Sequence, residues 1–99
     1  MQQISVSEVK EKISSGENLH LLDVREAEER EEFNIGGKHL PLGEIRNMET
    51  DSLNDWKEEE IIVYCRSGNR SAYACMFLEQ QGFTNVKNLT GGMAEWGKQ

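Results

Sequence analysis

The segment Ile61–Ser71, IIVYCRSGNRS, contains the residues of this chain that are best suited to covalent chemistry. The residues before Cys65 are apolar and largely β-branched, which predicts a buried strand with the cysteine at its carboxyl end. A polar turn containing Gly68 follows, and we expect a helix from Ser71 to Gln81. Because ligand sites in open α/β sheets lie beyond the carboxyl ends of strands, Cys65 is expected at a functional position.

The loop after Cys65 has the composition needed to stabilise a thiolate. A free cysteine has a pKa near ~8.5, and converging backbone N–H groups or a helix N-terminus lower it to roughly 3.5–7.5. Gly68 and Asn69 tolerate positive φ angles, which helps the loop curl its N–H groups inward. Arg66 and Arg70 add fork-shaped cationic donors for a sulfur or phosphorus oxyanion. We therefore interpret Cys65 as a nucleophile rather than a small buried hydrophobe.

The second cysteine and the histidines suggest no further chemistry. Cys75 lies within an apolar helical segment, and we interpret it as an inert core residue rather than a resolving thiol. Two cysteines at this spacing do not indicate a disulfide framework. His20 and His39 are isolated, and no Cys/His pattern has the spacing of a zinc site, so no metal is expected.

The elements before Cys65 read as a helix, a strand and a second helix. Ser5–Glu8 has the pattern of a capping box, and the helix it begins is expected to end near Gly16. Leu19–Val24 is short and apolar, which favours a buried strand. Arg25–Phe33 is rich in glutamate and predicts a helix whose acidic face is solvated rather than a docking surface. Weak helical turns are expected over Gly43–Trp56, with inward side chains at Ile45, Met48, Leu53 and Trp56.

The elements after Cys65 continue the alternation of strands and helices. The helix from Ser71 to Gln81 is apolar nearly all round, which predicts deep burial. Val86–Leu89 is expected to be a strand, and Gly91-Gly92 to lead into a last short helix carrying Met93 and Trp96. Strands that alternate with helices predict an α/β fold in which a parallel sheet carries helices on its faces.

Length and charge limit the classes of function. The 99 residues suffice for one core, so we expect a single domain over residues 1–99. The formal net charge of −7 argues against nucleic acid or an anionic membrane as a partner. No apolar run approaches the ~20 residues that span a bilayer, and residues 1–5 lack the pattern of a secretory signal. A cytoplasmic location is therefore expected.

Four motifs together resemble the single-domain rhodaneses: LLDVRE at 21–26, EFNIGGKHLPLGEI at 32–45, CRSGNRS at 65–71 and LTGGMAEW at 89–96. The resemblance implies a rhodanese-like α/β fold, with a central, mostly parallel sheet flanked by helices on both faces. It also implies a sulfurtransferase, in which Cys65 accepts a sulfane sulfur as a persulfide and passes it to a thiophile. The expected donor is thiosulfate or a similar small anion, and the acceptor is a thiol, cyanide or a protein. No metal or organic cofactor is expected.

The resemblance assigns roles around Cys65. The residues that follow it would bind the substrate: Arg66, Ser67, Gly68, Asn69 and Arg70. Asp23 and Arg25 match the positions that brace the site in this family. His39 and Pro41 match the segment that rims it, and we interpret His39 as a rim or structural residue rather than a general base.

The sequence is also compatible with three other functions. A rhodanese-like domain can be a non-catalytic binding or regulatory module, although such modules typically lack the cysteine. It can also be a persulfide carrier that serves one partner protein. Phosphatase or arsenate reductase chemistry is the third, but related phosphatases have an arginine six positions after the cysteine. Ser71 occupies that position here, and Arg70 comes one residue early.

Overall fold

The computed structural model describes residues 1–98, which form five strands, five α-helices and one 3₁₀ helix. The strands are β1 (Gln2–Ile4), β2 (His20–Asp23), β3 (Lys38–His39), β4 (Ile61–Tyr64) and β5 (Val86–Leu89). The helices are α1 (Val6–Ser14), α2 (Ala27–Glu32), α3 (Leu42–Arg46), α4 (Asn69–Gln80) and α5 (Gly92–Trp96), and the 3₁₀ helix is Asp51–Trp56. None of the helices within residues 1–98 combines the length and apolar character that crossing a bilayer requires.

The strands form one all-parallel sheet in the order β1-β5-β4-β2-β3. Strand β4 is central and every residue of it is buried, as its β-branched sequence predicts. Its register pairs Tyr64 with Asp23 of β2, so the two strands end side by side. Cys65 and Arg25 follow these ends, which brings the cysteine loop close to the LLDVRE motif.

The sheet is covered on both faces, because alternate residues of each strand enter different apolar clusters. Ile61, Val63 and Cys65 pack with the buried side of α4, together with α3 and the 3₁₀ helix. Ile62 and Tyr64 face the other way and pack against α1 and α5. This arrangement confirms the predicted α/β fold with helices on both faces.

The beginning of α1 confirms the predicted capping box. The Ser5 hydroxyl accepts a hydrogen bond from the Glu8 N–H at 3.0 Å, and the Glu8 carboxylate accepts one from the Ser5 N–H at 3.2 Å. Strand β1, just before it, was not predicted. Two of its three residues are glutamines, and it pairs only with β5 at the edge of the sheet, where polar side chains remain in water.

Two burial predictions are wrong. Helix α4 is not buried all round: Tyr73 is 58% exposed and Met76 48% exposed, while Ser71, Ala74, Cys75 and Leu78 form its buried side. A helix lying on one face of a sheet can bury only one side, even when its other side is apolar. Met48 was expected to point inward but is 69% exposed, since it follows the end of α3 with a φ of 65°.

Candidate active site

Cys65 is fully buried at the carboxyl end of β4, and the chain turns sharply after it. Gly68 makes this turn with a φ of 99°, a left-handed conformation that glycine adopts without steric cost. Helix α4 begins at Asn69, two residues earlier than expected, so Arg70 lies in its first turn rather than in the loop. The turn is therefore short and brings the start of the helix back onto the cysteine.

Two backbone N–H groups and one hydroxyl surround the Cys65 sulfur. The Gly68 N–H donates to Sγ at 3.1 Å and the Ser71 N–H at 3.4 Å, while the Ser71 hydroxyl lies 3.4 Å away. Burial alone would raise the pKa of the thiol. The hydrogen bonds from the Ser71 hydroxyl and from the Ser71, Gly68 and Ser67 N–H groups outweigh it, so the pKa of Cys65 is lowered. The site thus favours an anionic sulfur.

A second row of polar groups supports these donors. The Ser71 hydroxyl donates to the Oδ1 of Asn88, a buried residue of β5. The Asn88 amide donates in turn to the Gly68 carbonyl at 3.2 Å and to the Gln3 side chain at 3.1 Å. Neither Ser71 nor Asn88 received a role from the sequence. A polar residue at position 88, within the predicted strand Val86–Leu89, was the signal that could have pointed to Asn88.

The Gly91-Gly92 pair holds the other side of the loop. The N–H of Met93 donates to the Cys65 carbonyl at 2.9 Å, and that of Ala94 donates to the Arg66 carbonyl at 2.8 Å. A β-carbon at Gly92 would clash with both carbonyl groups. The LTGGMAEW motif therefore contributes a close backbone contact that fixes the loop.

Asp23 and Arg25 form a closed ion pair beside the end of β4. Arg25 donates to the two carboxylate oxygens of Asp23 at 2.9 and 3.0 Å, and both side chains are buried. Arg30 approaches the same carboxylate at 3.3 Å. Burial would raise the pKa of Asp23, but the hydrogen bonds and charge of Arg25 lower it overall. The bracing role assigned to this pair stays a prediction.

Arg70 is paired with Glu29 of α2. Its two terminal nitrogens donate to the two carboxylate oxygens at 2.6 and 2.8 Å. The Arg70 hydrogen bonds, which outweigh partial burial, lower the pKa of Glu29 to about 2. The sequence indicates Glu29 only as part of an acidic helix, because nothing in a single sequence pairs it with Arg70. The assignment of Arg70 to substrate binding stays a prediction.

Arg66 lies at a cleft of about 360 Å³ beside the loop. The cleft is also lined by residues from three other segments: Arg25, Glu29, Glu32, Phe33, Met93 and Ala94. Cys65 does not line it. Ser67 is exposed on the loop, and Asn69 is exposed at the start of α4.

His39 and Cys75 are not among the hydrogen-bond partners of the Cys65 sulfur within residues 1–98. His39 Nε2 is 2.8 Å from the Arg25 carbonyl oxygen, which fits the structural role expected for it. Cys75 is buried in α4, and desolvation together with the Glu79 charge raises its pKa to about 12. Residues 1–98 contain no group of three or more His, Cys, Asp or Glu side chains placed to hold a metal ion.

Comparisons with known proteins match this geometry to one family. The rhodanese-like domain family matches residues 5–99. The "Putative sulfurtransferase YtwF" of Bacillus subtilis is 43% identical over 97% of this chain and 90% of its own length. The "Putative sulfur carrier protein YrkF" of the same organism is 42% identical over 95% of this chain, which spans only 50% of that protein.

A solved structure has the same architecture. The rhodanese-like domain protein from Staphylococcus aureus superposes with a TM-score of 0.83 and 32% identity, over 98% of this chain and 92% of that one. The likeness thus extends over nearly the whole of both chains. This chain therefore belongs to the rhodanese-like domain family.

Proposed function

We propose that this protein is a sulfurtransferase that carries sulfane sulfur as a persulfide on Cys65. The observation that carries the proposal is the convergence of the Gly68 and Ser71 N–H groups on the Cys65 sulfur. Such donors stabilise a thiolate, which is the nucleophilic form of cysteine. The names of the relatives, a sulfurtransferase and a sulfur carrier, support the same chemistry.

The reaction consists of two displacements. In the first, the Cys65 thiolate attacks the outer sulfur of thiosulfate, the S–S bond of the donor breaks, and sulfite leaves with its electron pair. In the second, a thiophile such as cyanide attacks the outer sulfur of the persulfide. Thiocyanate then forms, and the thiolate is restored. The outer sulfur of the persulfide is anionic, so the donors that favour the thiolate also favour the intermediate.

Charge near the loop favours a small anionic donor despite the net charge of −7. Arg66 lies at the cleft without an ion-pair partner among residues 1–98, whereas Arg25 and Arg70 are each paired with a carboxylate. Arg66 is thus the cation best placed to attract thiosulfate or a related anion. Since Cys65 is buried, a donor reaches its sulfur only when part of the loop moves, which favours small donors.

A partner-specific persulfide carrier is the second candidate function. The observation that favours it is the full burial of Cys65, which would suit delivery to a docked acceptor better than free exchange with solutes. Such a carrier would form the persulfide normally but transfer its sulfur slowly to cyanide or small thiols.

A binding module and a phosphatase have less support from the site. A non-catalytic module would not need two backbone N–H groups aimed at a sulfur. For a phosphatase, the loop is one residue short, and Arg70, the arginine nearest to position 71, is paired with Glu29. Turnover of an aryl phosphate by the purified protein would restore phosphatase chemistry as a candidate.

We further propose that residues 1–99 fold as one domain and that the protein acts in the reducing cytoplasm. Both cysteines are free, and the proposed chemistry requires a reduced Cys65.

Intact mass after incubation with thiosulfate, without reductant, tests the function. The parent should gain one sulfur atom that cyanide removes, while Cys65→Ala should gain none and Cys75→Ala should behave as the parent. A gain in folded Cys65→Ala would contradict the assignment. If the parent gains no sulfur from thiosulfate but gains one from glutathione persulfide, the proposed donor is wrong and the proposed mechanism stands. If both fail in folded protein with a free thiol, the domain is a binding module.

A further inference from the structure

The Ser71 hydroxyl stands between two groups that compete for its single proton. On one side is the Cys65 sulfur at 3.4 Å, and on the other is Oδ1 of Asn88, which accepts a hydrogen bond from it. A hydroxyl has one proton to donate and lone pairs with which to accept. Ser71 therefore cannot donate fully to both neighbours at the same time.

The orientation of the Asn88 amide is fixed by its other contacts. Its NH₂ group faces two acceptors, the Gly68 carbonyl and the Gln3 side-chain oxygen. Turning the amide over would place its oxygen against these two oxygens and remove the hydrogen bond that each of them accepts from Asn88. Oδ1 must then face Ser71, where it can only accept. Asn88 is 5% exposed, so water does not readily replace the bond from Ser71.

The state of Cys65 decides which way this chain of hydrogen bonds can run. As a thiol, Cys65 donates its S–H to the Ser71 oxygen, and Ser71 donates to Asn88, so every group is satisfied. As a thiolate, Cys65 needs a donor instead. Ser71 must either turn its proton to the sulfur, leaving Asn88 Oδ1 unsatisfied, or keep it on Asn88 and present a lone pair to the anion. Both arrangements penalise the thiolate relative to the thiol.

We propose that Asn88 is a positioning residue that holds the Ser71 proton away from Cys65 and so limits the stabilisation of the thiolate. Without it, the loop would stabilise the Cys65 thiolate more strongly, and Cys65 would be a better leaving group when an acceptor takes the outer sulfur of the persulfide. The consequence for sulfur transfer rests on the proposed function, whereas the competition for the proton does not.

Other charged and titratable groups near Cys65 do not account for this effect. Arg70 and Cys75 act on it from α4, but Arg70 is paired with Glu29, and Cys75, with a pKa of about 12, stays a neutral thiol. At the end of the neighbouring strand, Asp23 and Arg25 neutralise each other. The exposed Arg66 carries a fixed charge that a change at Asn88 leaves in place.

The test is a titration of the Cys65 thiolate by ultraviolet absorbance in a Cys75→Ala background, with and without Asn88→Leu. We expect Asn88→Leu to lower the pKa of Cys65 by about one unit, a tenfold higher ratio of thiolate to thiol. The same change in a Ser71→Ala background should leave the pKa unmoved. An unchanged or raised pKa in Asn88→Leu would overturn the proposal, and so would an equal shift without Ser71.

A second variant guards against a failure of Asn88→Leu to fold. Asn88→Ala removes the same acceptor without introducing a branched apolar side chain, so it should also lower the pKa of Cys65. An unchanged or raised pKa there would also overturn the proposal. Sulfur uptake from thiosulfate, measured by mass on the same samples, separates the two claims. Uptake without the expected pKa shift rejects the role of Asn88 alone, and the shift without uptake from either thiosulfate or glutathione persulfide rejects the sulfurtransferase.

Discussion

The two cysteines have the same burial and opposite chemistry. Cys65 and Cys75 are both completely buried, and both pack in the cluster between the sheet and α4. The pKa of Cys65 is nevertheless lowered, while that of Cys75 is raised to about 12. Removal from water penalises both thiolates, so burial does not distinguish them. What differs is the supply of hydrogen-bond donors.

The position of each cysteine in its element explains that difference. Cys75 lies in the middle of α4, where the backbone N–H groups bond to carbonyl oxygens within the helix. Cys65 lies just before the start of the same helix. The first N–H groups of a helix have no partner within it, and that of Ser71 is one of them. A single helix thus activates the thiol at its beginning and leaves the one in its interior inert.

The largest effect expected from this contrast is on sulfur uptake. Cys65→Ser should abolish persulfide formation and leave folding intact, because a hydroxyl is a far weaker nucleophile than a thiolate. Cys75→Ser should retain most activity. Steady-state transfer from thiosulfate to cyanide measures both. Loss of activity in Cys75→Ser with Cys65 intact would mean that the interior thiol takes part after all.

The next effect concerns the donors around Cys65. In an Asn88→Leu background, where no acceptor competes for the hydroxyl proton, Ser71→Ala removes one hydrogen bond to the thiolate, so the pKa of Cys65 should rise by about one unit and alkylation at pH 7 should slow up to about tenfold. Alkylation rates across pH, followed by mass spectrometry, measure this. Ser67→Ala is the matched control, since Ser67 contributes only its backbone N–H. Equal slowing in both variants would argue against a role for the Ser71 hydroxyl.

A smaller effect is expected from the contact that holds the first turn of α4. Glu29→Gln removes the negative charge that pairs with Arg70. It should lower the free energy of unfolding at pH 7 by only about 1 kcal/mol, because both side chains of the pair are partly exposed. Urea unfolding measures it. The folded pKa of Glu29, about 2, lies below its ordinary 4.5, so this stabilisation is complete above pH 4.5 and disappears toward pH 2. A difference between parent and variant that persists at pH 2 would contradict the pairing.

The same pair separates two roles for Arg70. If Arg70 only fixes the helix, Arg70→Ala should cost as much stability as Glu29→Gln and leave the KM for thiosulfate unchanged. If it binds the donor, Arg70→Ala should raise the KM, whereas Glu29→Gln, which frees the arginine, should lower it.

The smallest effect is expected at the exposed cation. Arg66→Ala should raise the KM for thiosulfate about threefold without changing stability, because an exposed charge contributes less than about 1 kcal/mol. Arg46→Ala, which removes an exposed charge on α3, is the control. An equal change in KM in both variants would mean that the electrostatic field of the whole protein, rather than Arg66, attracts the donor.

The sequence predicted the parts of the site that are local in the chain. Strand β4 lies where expected, because a short apolar run without polar interruption is distinctive, and β5 also has its predicted bounds although two of its four residues are polar. The turn at Gly68 and the cysteine at the end of a strand also follow from local chemistry.

What the sequence did not predict depends on contacts between distant segments. The Glu29–Arg70 pair joins α2 to α4, and the Ser71–Asn88–Gln3 chain joins α4 to β5 and β1. A single sequence does not indicate which polar residues from distant segments come into contact in the folded protein. The burial predicted for Tyr73 and Met76 failed for a related reason, since an apolar pattern does not say which side of a helix the sheet will cover.

The most direct test of the account is the labelling of both cysteines in one sample of native protein with iodoacetamide, quantified peptide by peptide across pH. The account predicts that Cys65 reacts with a midpoint below the ~8.5 of a free thiol, while Cys75 is protected until the protein unfolds. Labelling of Cys75 as fast as Cys65, or no labelling of Cys65 below that pH, would contradict it.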